Sequence, residues 1–226
     1  MLIDPCTILI NSRSVRSELF AGCSPDDVKD ILKHAGYFFK TYARNEEIFR
    51  SGNVSHAGLI LTGGADIIMT TSSGRDDILF RKKEGSLIGL SFCITGQRDD
   101  LIRYRASSVS ELLFIDINHI LMTPNTEQYY RRFILNFVSI LSSSNNELSR
   151  KINILTQKTL KDKLLFFFRD CAKDSSDGKS FVMPFTREQL AQFICSERTS
   201  VCRELGIMQD EGLIRIEGKK VILCGN

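Results

Sequence analysis

Residues 186–223, TREQLAQFICSERTSVCRELGIMQDEGLIRIEGKKVIL, constrain the fold of this chain more than any other stretch. Apolar residues recur at Leu190, Phe193 and Ile194 and again at Val201, Leu205 and Met208, the spacing of two short helices that each bury one face. Ser196, Glu197 and Arg198 form the turn between them. GLIRIEGKKVIL then alternates around Gly218, followed by Lys219 and Lys220, which reads as a two-stranded hairpin with a basic tip. Helix, turn, helix and hairpin in that order describe a winged helix-turn-helix, whose default partner is duplex DNA. The second helix sets Arg198, Thr199, Ser200 and Arg203 where they cannot all be buried. An arginine fork donates two parallel hydrogen bonds to guanine O6 and N7, and hydroxyls suit phosphates or base edges.

Charge alone does not carry this reading. Six basic residues of the segment (Arg187, Arg198, Arg203, Arg215, Lys219, Lys220) face six acidic ones (Glu188, Glu197, Glu204, Asp210, Glu211, Glu217). The signal is placement, and an ordinary solvated helix face is the competing account. The whole chain has 226 residues, is 42% hydrophobic and carries a formal charge of +3, enough for two modest domains with a mildly basic surface. The first twenty residues hold Asp4, Pro5, Arg13, Arg16 and Glu18 without a long apolar run, so no secretory leader is expected. No segment approaches the roughly 20 apolar residues of a membrane span. The expectation is a soluble, cytoplasmic protein without membrane association.

Seven cysteines (Cys6, Cys23, Cys93, Cys171, Cys195, Cys202, Cys224) are odd in number, scattered and without a CxxC pair. Neither a disulfide framework nor a zinc ribbon is indicated, and reduced thiols packing as small hydrophobes are expected. HExxH, P-loop and GxSxG patterns are absent, so no catalytic residue, metal or cofactor is assigned.

Upstream the texture changes twice. Ser24 is placed to cap a short helix opening at Pro25, with Asp26 and Asp27 near its positive end. Segments such as EEIFRSGN, GLILTGGADIIMT, DDILFRKKEGSLIGLS and RYRASSVSELLFID follow, separated by turns at Gly52, Gly63, Gly64, Gly74, Gly85 and Gly96. Short strands so spaced predict a sandwich or barrel-like roll, with a hairpin end at residues 72–75. After Pro124 there is neither Gly nor Pro across residues 126–156, and Ile134, Leu141, Leu148 and Leu155 stand seven apart. That predicts one long amphipathic helix with a coiled-coil-like stripe. About thirty residues span about 45 Å, too long for one small domain to cover, so pairing with a second copy is expected, with packing inside the monomer as the alternative. The run of Ser142, Ser143, Ser144, Asn145 and Asn146 interrupts the stripe as a kink or a polar contact between subunits. An apolar helix at Leu160, Leu164, Leu165, Phe167 and Phe168 opens the last domain beyond a hinge at residues 156–159. The fold class is therefore α+β: a roll over residues 1–124, a long dimerisation helix over 125–157 and the winged helix-turn-helix over 158–226.

A β-roll, a long helix and a winged helix-turn-helix in this order resemble the superfamily of the cyclic-AMP receptor protein and the fumarate and nitrate reductase regulator (CRP/FNR). The resemblance covers nearly the whole chain. Its most specific pieces are FTREQLAQFICSERTSVCRELGIMQDEGLI, which is similar to the family's helix-turn-helix without a gap, and EGSLIG, which is similar to the opening of its cyclic-nucleotide-binding-like cassette. The resemblance implies a homodimer on a nearly palindromic operator in double-stranded DNA, with Arg198 and Arg203 at base-reading positions and contact with RNA polymerase for activation. Thr199 stands where many members carry a Glu that accepts from cytosine N4. Thr186, Arg187, Ser200, Gly218 and Lys219 fall at or near phosphates, and Glu197 departs from the pattern because a carboxylate there is repelled by the DNA backbone.

The same resemblance argues against cyclic AMP. The ribose-binding Glu of the cassette is Leu90 here, and the phosphate-binding Arg is Asp100, beside Asp99. Carboxylates repel a phosphate, and Leu90 offers a ribose no acceptor. Cys6 and Cys23 do not supply the cysteine spacing of an iron-sulfur sensor, and His34, His56 and His119 suit surface positions better than haem ligation. What remains is a small organic effector, with Leu90, Phe92, Ile94 and Tyr104 as the apolar lining and Arg103 or Arg105 as the polar anchor. Three readings stand beside it: a regulator without an effector, a redox-responsive one acting through Cys93, Cys195 or Cys202, and a sensor or scaffold module whose winged helix binds protein.

Overall fold

A computed structural model describes residues 17–50, 55–96, 100–123, 125–173 and 175–224. Cys6, the leader reading of the first sixteen residues, Gly52, Asp99 and Pro124 lie outside the described residues. The chain divides into two compact units. The first comprises Met1–Arg75 and Leu79–Asn145, the second Asp76–Ile78 and Asn146–Asn226.

The first unit begins with helix α1 (Pro25–Ala35), whose start follows from its sequence: Ser24 Oγ accepts from Asp27 N at 3.2 Å and Asp27 Oδ2 accepts from Ser24 N at 2.8 Å, a reciprocal cap. Strands β1 (Tyr37–Tyr42), β2 (Glu47–Arg50), β3 (Ala57–Thr62), β4 (Gly64–Thr70), β5 (Asp76–Lys83) and β6 (Leu87–Ile88) follow, then a short helix α2 (Leu90–Thr95), β7 (Ile102–Ala106), β8 (Ser110–Ile115) and α3 (Ile117–Met122). The strands form two four-stranded sheets, ordered β1-β8-β3-β6 and β2-β7-β4-β5. Eight strands in two sheets make the jelly-roll arrangement expected from the regular turn spacing.

The first sheet shows why β3 and β8 read as continuous apolar runs. Leu112 and Phe114 point between the sheets, into a core with Tyr42, Ile60, Tyr104 and Ala106. Leu113 and Ile115 point the other way, into a core of α1 and helix residues Tyr130, Phe133, Phe137 and Ile140. A sheet covered on both faces loses the alternation of a half-exposed one. Gly63 closes the β3–β4 turn at φ +80°, where a Cβ would lie 2.4 Å from both Val109 O and Ser110 Oγ; no other residue fits without moving backbone. Residues 71–75 form the expected hairpin end, with Thr71 N donating to Arg75 O at 2.8 Å.

Helix α4 (Gln128–Leu155) is continuous over 28 residues, with no break at the Ser-Asn run. The division between the units falls within it, after Asn145. Tyr130, Phe133, Phe137 and Ile140 are buried, whereas Leu135, Val138, Leu141, Leu148 and Ile152 are exposed, so the helix carries two apolar faces and the protomer covers one.

In the second unit α5 (Leu160–Ala172) is capped by Thr159, whose Oγ1 accepts from Asp162 N. The polar loop before β9 (Ser180–Val182) is gathered by Asp177, whose carboxylate accepts from Lys179 N, Ser180 N and the hydroxyls of Ser175 and Ser180 and is held well below the usual carboxylate range by those bonds. Helices α6 (Arg187–Ile194) and α7 (Arg198–Asp210) and strands β10 (Ile214–Glu217) and β11 (Lys220–Leu223) complete it, the third sheet running β10-β11-β9. Leu164, Phe168, Leu190, Ile194, Val201, Leu205, Met208, Ile214 and Val221 form its core. Among the described residues no helix is long and apolar enough to cross a membrane.

Candidate nucleic-acid interface

The start of α6 is fixed by a reciprocal cap in which Thr186 Oγ1 accepts from Gln189 N at 3.2 Å and Gln189 Oε1 accepts from Thr186 N at 3.1 Å. Thr186 remains exposed and Arg187, the first helical residue, half-buried. The helix ends at Cys195, which takes a left-handed conformation (φ 55°) so that Ser196 N can donate to Ala191 O at 2.9 Å. Glycine is the usual residue there, so this turn retains some strain.

From that turn α7 emerges with one buried apolar row and one exposed polar row. Val201, Leu205 and Met208 are at most 2% exposed, while Arg198, Thr199, Ser200, Cys202 and Arg203 are all exposed. Burying one row every three to four residues fixes the opposite row outward, and a single helix thus presents two guanidinium forks, two hydroxyls and a thiol to the same side of the unit. Ser200 is exposed at the margin of that surface, beyond Arg203. Glu197 sits just before the helix, where its charge favours the helix dipole.

The wing forms the two-stranded hairpin expected around Gly218. Glu217 pairs with Lys220, leaving Gly218 and Lys219 as a two-residue turn. Gly218 has φ 60°, the geometry that such turns require of their first residue. Met183 N donates to Lys219 O at 2.8 Å, so the tip is tied to the end of β9 while its lysine side chain stays exposed.

One residue that positions this surface gives no sequence signal. Lys151 on α4 is 4% exposed, and its ammonium donates to Ile78 O at 3.0 Å and to Phe193 O, and lies 3.4 Å from the Phe193 ring centroid. Phe193 O is among the last carbonyls of α6, which have no partner within the helix. Burial pulls the amine down to about 8, opposed by Cys195 and Asp77 nearby. In the sequence Lys151 stands in a polar run, and its partners lie 42 and 73 residues away.

The residues expected around an effector do not share one surface. Because α2 is a helix rather than a strand, Leu90, Cys93 and Ile94 fall on one face and pack into the core with α1 and α4. Phe92 falls on the other, meeting Tyr104 edge-to-face at 6.2 Å between the sheets. Tyr104 also packs on Phe49 at 4.4 Å and is 4% exposed. Strand alternation turns Arg103 and Arg105 to the opposite side of β7 from Tyr104. On that side Asp66, directly across from Arg105, is buried and receives a two-pronged hydrogen bond from Arg81 at 2.7 and 2.9 Å. Asp100 is exposed in the turn before β7. Burial also raises the Cys93 thiol to about 12, which leaves it inert as a nucleophile.

Comparison with known proteins bears on this geometry. Residues 160–224 match the Crp-like helix-turn-helix domain. The chain is 23% identical over 188 residues to the global nitrogen regulator of Nostoc sp., covering 80% of this chain and 83% of the relative, and 24% identical over the same length to that of Synechocystis sp.. Among solved structures it resembles the c-di-GMP responsive global regulator CLP of Xanthomonas campestris (TM-score 0.71, 20% identity, 90% of this chain and 100% of that one). It also resembles a CooA mutant from Carboxydothermus hydrogenoformans (TM-score 0.70, 18% identity, 87% and 86%). With an exposed Arg-bearing second helix and a Lys-tipped wing, residues 160–224 form a Crp-like helix-turn-helix domain, and the chain as a whole shares the fold of the CRP/FNR-family regulators it resembles.

Proposed function

We propose that this regulator works as a homodimer that sets α7 of each protomer into the major groove of a nearly palindromic operator. Arg198, Thr199 and Arg203 face base edges, and Thr186, Arg187, Ser200, Gly218 and Lys219 lie along the phosphates. The observation that carries the reading is the outward placement of Arg198, Thr199, Cys202 and Arg203 on α7 over the buried row of Val201, Leu205 and Met208. A partner copy is supported by the second apolar face of α4. Ile134, Val138, Leu141, Asn145, Leu148, Ile152 and Leu155 follow a strict alternation of four and three, the spacing of a coiled-coil seam, and Val138, Leu141, Leu148 and Ile152 are between 39% and 51% exposed in the protomer.

Control by a small effector other than cyclic AMP, acting at Phe92 and Tyr104, is the regulatory half of the proposal. The effector-independent reading is favoured by one observation, the packing of those rings on each other and on Phe49. Activity in the cytoplasm, contact with RNA polymerase and the absence of any catalytic role complete the reading.

Selection of binding sites from a random duplex pool tests it, run with wild type and with Leu148→Lys. Leu148 is exposed in the protomer, so the variant should fold. The wild type should enrich a two-fold symmetric site, and the variant should sediment as a monomer and enrich none. An asymmetric wild-type site, or a Leu148→Lys dimer with unchanged selection, contradicts the proposed assembly.

A further inference from the structure

The outward face of α7 also constrains which bases it reads. At about 100° per residue Arg198 and Arg203 stand about 140° apart around the helix, and Cys202, Gly206 and Thr199 fall between them at about 40°, 80° and 100°. Cys202 and Thr199 are exposed, and a Cβ built at Gly206 would meet nothing within 4 Å. This chain's own packing therefore does not require a glycine in the middle of α7, where it costs about 1 kcal/mol against alanine. The surface between the two arginines is shallow and nearly apolar. It carries the methyl and the hydroxyl of Thr199, a thiol and a bare backbone.

Each base pair shows a different pattern in the major groove. Cytosine N4 needs an acceptor, which Glu or Asp supplies, and adenine N6 with N7 needs the amide of Asn or Gln. Neither a carboxylate nor an amide stands between the arginines, and the one hydroxyl there, on Thr199, suits any base edge without choosing among them. Glu204 is half-buried on the far side of α7, and Gln209 and Asp210 lie about 16 Å and 18 Å along the axis from Arg198, beyond the amino-terminal turns that reach bases in this motif. Thymine alone offers a methyl group, and small apolar groups are its complement.

We infer that Thr199 and Cys202 are specificity-determining residues that read thymine methyls at the centre of each half-site, bracketed by guanines held by Arg198 and Arg203. The inference rests on the operator-binding reading above and adds which bases that surface accepts. Gly206 lets the helix approach closely enough for the methyls to touch.

The test begins with the site enriched by wild-type protein and replaces its central thymines one at a time by deoxyuridine, which removes the methyl and nothing else. Affinity is read by fluorescence anisotropy at fixed salt. Loss of one methyl contact in each half-site should weaken binding about fourfold per methyl, or about 16-fold across both half-sites. In Thr199→Ser, which keeps the hydroxyl and lacks the methyl, one of the deoxyuridine effects should disappear, and Thr199→Glu should shift selection toward cytosine at the same position. An enriched symmetric site with no central thymine, or one indifferent to deoxyuridine, overturns the inference while operator binding stands. Failure of the wild type to enrich any site overturns both.

Discussion

The roll and the winged helix spend their polar residues in opposite ways. In the roll the charged side chains nearest the expected sensor position are drawn into its own structure: Asp66 is buried and clasped by Arg81, and the aromatic groups between the sheets pack on one another. In the winged helix the buried positions are apolar and every candidate contact residue on α7 points outward. The contrast separates groups committed to folding from groups left for a partner, and it places recognition in the second unit with more force than sensing in the first.

The largest effect that would break this contrast lies in the roll. Asp66→Ala should destabilise the first unit by about 3 kcal/mol, because a guanidinium would be left over a buried apolar site. Thermal melting should show the loss, and operator affinity of the folded fraction should be unchanged. A weakened affinity without a change in melting would mean that Asp66 serves recognition rather than the fold.

Lys151 sharpens the comparison from the other side. Lys151→Met removes the donor to Phe193 O and Ile78 O and should cost about 1–3 kcal/mol near neutral pH. The amine titrates at about 8 in the folded protein against a usual value of 10.5. Below pH 8 both states hold the proton. Between pH 8 and 10.5 the unfolded chain binds more protons than the folded one, so this residue makes stability rise with pH across that window. Deprotonation leaves two N–H donors for the two carbonyls, so the bonds survive it. Chemical unfolding of wild type and Lys151→Met at pH 7.5 and pH 10 should show the stability difference growing in favour of wild type by up to about 3 kcal/mol. A difference independent of pH would mean that the ammonium is not desolvated as the geometry requires.

The smallest expected effect is a gain. Cys195→Gly removes a side chain from a left-handed position and should stabilise the second unit by about 1 kcal/mol, with operator binding retained. A loss of stability would show that the Cys195 side chain contributes more than the strain it causes.

How far the sequence was legible follows the same division. The winged helix could be read almost to the residue because Leu190, Phe193, Val201, Leu205 and Met208 keep one period and Gly218 marks the turn, all within a short span. The long helix was legible from the absence of Gly and Pro, and its two apolar faces explain why its stripe looked broad. The helix α2 was not legible: LSFCIT follows a strand-like segment and is only six residues long, so nothing in its period separates helix from strand. That one choice decides whether Leu90, Phe92 and Ile94 share a face. The buried position of Lys151 and the Asp66–Arg81 pair depend on partners distant in sequence, which no local pattern encodes.

The most direct test of the central claim is titration of the selected operator with Arg203→Ala and with Tyr104→Phe, read by fluorescence anisotropy at several salt concentrations. Arg203→Ala should weaken binding by at least about 30-fold, since a bidentate contact is lost in both half-sites, while the protein remains a folded dimer. Tyr104→Phe should bind as the wild type does. Equal affinity for Arg203→Ala and wild type would contradict the assignment of recognition to the outward face of α7.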